Sequence, residues 1–146
     1  MVDQQHVYVR EEIDAPAQAV WRLVRDFGDV NAWVDGEVVK TEGTGIGMVR
    51  HVDAAAGRVV ERCEAHDERA MSFAYRLLAS PWPFENYVAT VKLSEREPGK
   101  TTIEWSSIFE VDNDNTQRVI RGLERTYRDV FIARLRAATE GRPTTQ

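Results

Sequence analysis

Cysteine is almost absent from this 146-residue chain: Cys63 stands alone, so no intramolecular disulfide can form and nothing points to an oxidising compartment. Long apolar runs are also missing. No stretch approaches the roughly 18 consecutive apolar residues that a membrane-spanning helix needs, and MVDQQHVYVREE turns charged before an apolar run long enough for a signal peptide. A cytoplasmic protein without integral membrane association is the expectation. Positive charge is in deficit, with 19 Lys and Arg against 24 Asp and Glu, a net charge of -5 and a pI near 5.3. That balance argues against nucleic acid as a partner, because nothing attracts the chain generally to a phosphate backbone. There is no internal repeat, low-complexity stretch or Pro/Gly/Ser-rich linker, which predicts one domain over residues 1–140 and a short polar tail over 141–146.

What is present is ordinary globular composition: 42% apolar, 29% charged and 9% aromatic residues. A chain of this size buries roughly 70% of its unfolded surface, so a core needs no disulfide or metal to hold it. Periodicity gives the organisation. His6 to Ile13 alternates as a strand, and Asp14-Ala15-Pro16 offers a polar cap before a helix. Val20, Leu23, Val24 and Phe27 then recur at helical spacing until Gly28. A second short amphipathic piece carries Val30, Trp33 and Val34 before Asp35-Gly36 breaks the pattern.

Six further strands follow, over Glu37 to Thr41, Met48 to Asp53, Arg58 to His66, Ala70 to Leu78, Asn86 to Glu95 and Thr101 to Val111. Such close spacing leaves no room for crossover helices, so the connections are hairpins and the sheet is antiparallel. Asp114 and Gln117 fit a capping box, and Val119, Leu123, Tyr127, Val130, Phe131, Leu135 and Ala138 form the apolar stripe of a helix of about 25 residues. The fold class is therefore α+β: a seven-stranded curved antiparallel sheet around a long C-terminal helix, with two short helices between strands 1 and 2. One cylinder about 10 Å wide cannot fill the hollow of so many curled strands, so a gap is expected between helix and sheet.

Strand alternation suggests which polar groups line that gap. A two-residue turn at Ala55-Ala56 sets Arg50 opposite Glu61 and Val52 opposite Val59. Val52, Val59 and Cys63 share that parity and are apolar, which assigns the face to the interior and turns Arg58, Arg62, Glu64 and His66 outward. Arg50 and Glu61 then form either a structural cross-strand ion pair or a ligand-orienting one. Met71, Phe73, Tyr75 and Leu77 make an aromatic and apolar row that suits a cavity wall or a packed core.

Other apparent motifs lack their chemistry. Gly43-Thr44-Gly45-Ile46-Gly47 lies between strands and opens no helix, which reads as a hairpin turn rather than a phosphate loop. Asp112, Asp114 and Thr116 begin like a calcium loop, but Gln117 stands where glycine is needed and Leu123 where the twelfth-position glutamate belongs. His6, His51 and His66 have no metal-ligand spacing, with His51 and His66 on the outward parity. No Gly-x-Ser-x-Gly elbow exists, and Cys63 has no histidine on its face, which weighs against nucleophilic hydrolysis. The arginines of the last helix, Arg118, Arg121, Arg125, Arg128, Arg134 and Arg136, are interrupted by Glu124, Asp129 and Glu140 and read as a solvated face with i,i+4 pairs rather than a lipid-binding one.

Several of these residues together carry a family resemblance: Ala15-Pro16 with Val20-Trp21, Asp26-Phe27-Gly28 followed by Trp33, Gly43-x-Gly45-x-Gly47-x-x-Arg50, Glu61-Arg62 with Asp67, Asn86-Tyr87, and Glu104-Trp105. The chain resembles the START-like superfamily, also called SRPBCC, from about residue 7 to 138. That superfamily includes polyketide cyclase/dehydrase-like proteins, lipid-transfer domains, the birch-pollen-allergen group and the abscisic-acid receptors. The resemblance implies a helix-grip fold and an apolar small-molecule ligand held between sheet and helix; no cofactor is expected, and the spacings above give no metal site. Against the abscisic-acid receptors, Glu61, Tyr75, Phe84, Tyr87, Ala89, Glu104, Val119, Leu123 and Tyr127 fall on ligand-contacting positions, and Trp82-Pro83-Phe84 resembles the loop leading into the pocket. The short Ala54-Ala55-Ala56-Gly57 replaces the gate loop of those receptors.

The candidate ligand-binding set is therefore Arg50, Val52, Val59, Glu61, Phe73, Tyr75, Leu77, Phe84, Tyr87, Ala89, Glu104, Val119, Leu123 and Tyr127. Three functions remain open. A binding protein would use the polar groups only to anchor its ligand in a cavity of roughly 300–1,000 Å³. A cyclase or dehydratase would draw catalytic groups from Glu61, Glu104, Arg50 and Tyr87, a carboxylate abstracting a proton alpha to a carbonyl while Tyr75, Tyr87 or Tyr127 and Arg50 stabilise the enolate. A protein-protein module acting through a sheet edge or Trp82-Pro83-Phe84 would have a filled interior.

Overall fold

A computed structural model of the chain describes residues 2–140. The polar tail expected over 141–146, and with it the Gly141-Arg142-Pro143 stop, lies outside the described residues. Strand β1 (Val2–Ile13) leads into helix α1 (Ala17–Val24). Six strands follow: β2 (Gly36–Glu42), β3 (Val49–Ala54), β4 (Gly57–Asp67), β5 (Ser72–Ala79), β6 (Glu85–Glu97) and β7 (Lys100–Asp112). They form one antiparallel sheet in the order β1-β7-β6-β5-β4-β3-β2. The chain ends in a continuous helix of 24 residues, made of α2 (Thr116–Arg125), a π-helical stretch (Thr126–Ile132) and α3 (Ala133–Thr139).

The sheet curves for a local reason. Register shifts interrupt the ladders at Val38/Lys40, Val60/Glu61, Cys63/Ala65, Glu85/Val88 and Glu95/Glu97. Each such bulge bends its strand and adds twist. The concave face is largely apolar: Val7, Val9 and Ile13 on β1, Val91 and Leu93 on β6, Ile103, Trp105 and Phe109 on β7 are all buried. Helix α1 caps one end of this face through Val20, Trp21 and Val24, with Trp21 tilted against Phe73 at 6.3 Å.

Three local expectations are corrected. Asp14 does not cap α1, because Pro16 occupies the cap position two residues later and Lys100 Nζ holds the Asp14 carboxylate at 3.1 Å. The free N–H of Ala17 is instead taken by Glu95 Oε1, at 2.6 Å, from the far end of β6. The second short helix is a single turn: Val34 N–H reaches Val30 C=O at 2.9 Å, while an Asp29 side chain accepts from Asn31 N–H and Gly36 starts a strand too soon for more. The Asp114–Gln117 capping box does not form either. Asn115 is the cap residue of α2, and Asp112 takes both its backbone N–H and its amide group.

One parity is also corrected. The bulge at Cys63/Ala65 sets His66 opposite the inward-facing Phe73, so His66 turns toward α1, lies tilted against Trp21 at 5.4 Å and reaches Arg25 C=O at 3.0 Å. The outward directions of Arg62 and Glu64 hold: these two pair at 2.6 Å, with Arg76 beside them. Of the helix arginines, Arg128 and Arg136 pair with Glu11 of β1 and Arg134 with Asp35, whereas Arg136–Glu140 is an i,i+4 pair.

Glu95 supplies from another element what the local sequence of α1 lacks. Glu95→Ala is expected to lower stability by about 1–2 kcal/mol in urea unfolding, as loss of a cap does. A change below about 0.3 kcal/mol would show that the bond contributes nothing.

Candidate functional site

The β3–β4 hairpin turns at Ala55-Ala56, with Gly57 at a φ of +136° that disfavours other residues, and so fixes Arg50 opposite Glu61 and Val52 opposite Val59. Arg50 is 1% exposed. Its Nε donates to Glu61 Oε1 at 2.8 Å, and Nη2 lies 2.8 Å from the same oxygen as an ion-pair contact without hydrogen-bond geometry. Nη1 donates to Phe27 C=O at 3.0 Å, and the guanidinium lies 3.8 Å from the centre of the Phe27 ring. Two rings, Trp33 and Tyr75, stand 5.3 Å away. A charge this deep would cost several kcal/mol unpaired, and here it has a carboxylate, a carbonyl and three aromatic rings around it, with Nη2 left without a hydrogen bond.

Glu61 faces the space between sheet and helix, which holds two adjoining chambers. The first, of about 230 Å³, is walled by Tyr75, Leu77, Phe84 and Tyr87 from the sheet side and by Val119, Leu123 and Tyr127 from the helix. The second, of about 210 Å³, lies under the β3–β4 turn between Trp33, Val52, Val59 and Val130. Glu61, Tyr75, Trp82, Thr126 and Phe131 border both chambers. Each is smaller than the single cavity expected.

Three tyrosines form a hydrogen-bonded wall. Tyr127 donates to Ser107 Oγ at 2.7 Å, so the 2.5 Å contact between Tyr87 and Tyr127 has Tyr87 as its donor. Tyr75 accepts from Trp105 Nε1 at 3.2 Å. Burial, above all, holds the phenols of Tyr75, Tyr87 and Tyr127 above their ordinary pKa. They are neutral groups at any physiological pH. Burial also raises the Cys63 thiol, whose Sγ lies 3.6 Å from Ala65 C=O.

The structure separates the candidate residues. Val52, Val59, Glu61, Tyr75, Leu77, Phe84, Tyr87, Val119, Leu123 and Tyr127 border a chamber. Arg50 stands behind Glu61, while Phe73 and Ala89 are buried in the core and border neither chamber. Glu104 is removed from the cavity: Trp105 points inward on β7, so its neighbour points outward, where Tyr8 O–H donates to Glu104 Oε2 at 2.6 Å. Met71 leaves the β5 row as a turn residue with φ +52°. Thr126, Phe131, Trp33 and Arg118 also line the chambers and were not in the candidate set. Phe131 and Tyr127 recur every four residues along the π-helical turn, a signal that the helical stripe already contained.

Comparison with known proteins decides the family. The description "polyketide cyclase / dehydrase and lipid transport" matches residues 4–140. The chain belongs to this family. Among solved structures, an uncharacterized protein from Bacillus thuringiensis is 25% identical, with a TM-score of 0.80 over 92% of this chain and 98% of that one. The protein XoxI from Bacillus cereus is 24% identical, with a TM-score of 0.81 over 93% and 96% of the two chains. Norcoclaurine synthase from Thalictrum flavum, solved with dopamine and hydroxybenzaldehyde, shares the fold at 12% identity and a TM-score of 0.73, over 93% of this chain and 86% of that one. No helix among the described residues of this family member is long and apolar enough to cross a membrane.

Two measurements check this geometry. Arg50→Met is expected to cost about 3–5 kcal/mol by leaving the Glu61 carboxylate unpaired, and Arg50→Met/Glu61→Leu to recover most of that loss. A single-variant cost below about 1 kcal/mol would contradict the pairing. In an alkaline titration followed by absorbance, a raised folded pKa means stability is complete below the ordinary tyrosine range near 10 and is lost as pH rises above it. Exposed Tyr8, itself raised chiefly by its bond to Glu104, is expected to ionise first and reversibly, and the other three only with unfolding. Early reversible ionisation of more than one tyrosine would show the wall to be open.

Proposed function

We propose that the chain binds an apolar small molecule with a single polar group in the space between the sheet and the C-terminal helix. The observation that carries this reading is a pair of chambers walled by aromatic and aliphatic side chains with one carboxylate, Glu61, bordering both. Apolar walls contribute binding free energy in proportion to the area removed from water, and a lone polar group fixes orientation. The family description, which couples cyclase and dehydrase members with lipid transport, supports a ligand of this class.

Carriage or sensing is favoured over proton-transfer catalysis by the state of the polar wall. The protons of Tyr87 and Tyr127 are already committed within the wall, and Glu104 lies outside the cavity. A protein-protein module without a ligand is disfavoured because the interior is not filled. Trp82, 40% exposed and bordering both chambers, stacks on Phe84 at 6.0 Å and stands between the interior and solvent.

Titration with N-phenyl-1-naphthylamine, whose fluorescence rises in apolar surroundings, tests the reading. One saturable site with a Kd on the order of 1–10 µM is expected, together with a 1:1 adduct in native mass spectrometry. Linear, unsaturable fluorescence with no adduct would overturn it.

A further inference from the structure

The polar groups that face the hollow restrict the chemistry of the ligand, given that the chambers bind one as proposed above. Glu61 presents two carboxylate oxygens, and Arg50 takes only Oε1, through both Nε and Nη2. Among the described residues no hydrogen bond reaches Oε2. The Glu61 side chain stays 15% exposed at a position where it borders both chambers. Of the neighbouring hydroxyls, Tyr87 already donates to Tyr127 and Tyr127 to Ser107, while Tyr75 accepts from Trp105 Nε1.

A carboxylate oxygen is an acceptor with no proton to give. Its partner has to be a donor, and a donor bonded to an ionised oxygen makes a bond about twice as strong as a neutral pair. A second carboxylate there would meet like charge in a site poor in water. Arg118 borders the first chamber but is exposed, and its guanidinium is bonded to Asn115 Oδ1 at the start of α2, so it offers an acid no buried counter-charge.

We infer that the cavity selects a neutral or cationic ligand bearing an alcohol, phenol or amine, whose O–H or N–H donates to Glu61 Oε2 while apolar groups occupy the chambers on either side. Carboxylates, fatty acids among them, are rejected at this position. The position of Glu61 beside both chambers fits a ligand whose polar atom lies near its middle rather than at its end.

The test is displacement of bound N-phenyl-1-naphthylamine from the wild-type chain by four compounds of one shape: diphenylmethanol, its methyl ether, diphenylmethane and diphenylacetic acid. Diphenylmethanol is expected to compete about 10- to 100-fold more strongly than the ether, which lacks the proton, and the acid is expected to be weakest. In Glu61→Gln the advantage of alcohol over ether is expected to fall below about threefold. Should that variant fail to fold, the wild-type series decides alone. Equal competition by the ether, or stronger competition by the acid, overturns the inference. Failure of the dye itself to bind would instead overturn the binding reading on which it rests, so the two failures are told apart.

Discussion

Arg50 carries a full positive charge at a depth where water does not reach, and most of the concave face is arranged around that fact. The guanidinium draws in Glu61 from β4, the carbonyl and ring of Phe27 from the turn after α1, and the faces of Trp33 and Tyr75. Three otherwise separate parts of the chain are thereby held in one place. The pairing engages one oxygen of Glu61, a residue that also borders both chambers. The structural role of the pair weighed from the sequence is thus visible in the Oε1 contacts.

The hollow itself follows from a mismatch of shapes. Seven strands bent by bulges enclose more width than one helix fills. Aromatic side chains take up part of the difference: Trp33, Trp105 and Phe131 meet with ring centres about 5 Å apart and close one end. Thr126 and Phe131, from the π-helical stretch, border both remaining chambers together with Glu61 and Tyr75. A π-turn is an unusual element and often marks a functional position. Here two of its residues, Thr126 and Phe131, border both chambers.

Much of this was legible in the sequence because it depends on short-range periodicity. The two-residue turn at Ala55-Ala56 determines which residues oppose each other, and the Arg50–Glu61 pair follows from counting outward from it. The long helix and the antiparallel order follow in the same way from spacing. What counting misses is any change of count. The bulge at Cys63/Ala65 adds a residue to β4 and turns His66 inward. The π-helical turn widens the helical repeat, so that Ile132, five residues after Tyr127, is fully buried although it lies outside the regular stripe. Glu104 differs in kind: the family resemblance placed it at the ligand, whereas the alternation of Trp105 and Ser107 on β7 turns it outward.

Gly122 gives the most direct test of a ligand-holding hollow. It borders the first chamber on α2, and nothing stands within 4 Å of where a Cβ would be. Gly122→Leu therefore adds bulk to empty space, and it favours the helix by about 0.5–1 kcal/mol because glycine is a poor helix former. The expected result is a more stable protein that has lost at least tenfold in affinity for N-phenyl-1-naphthylamine. A stabilised variant that binds the dye as tightly as the parent chain would contradict the account.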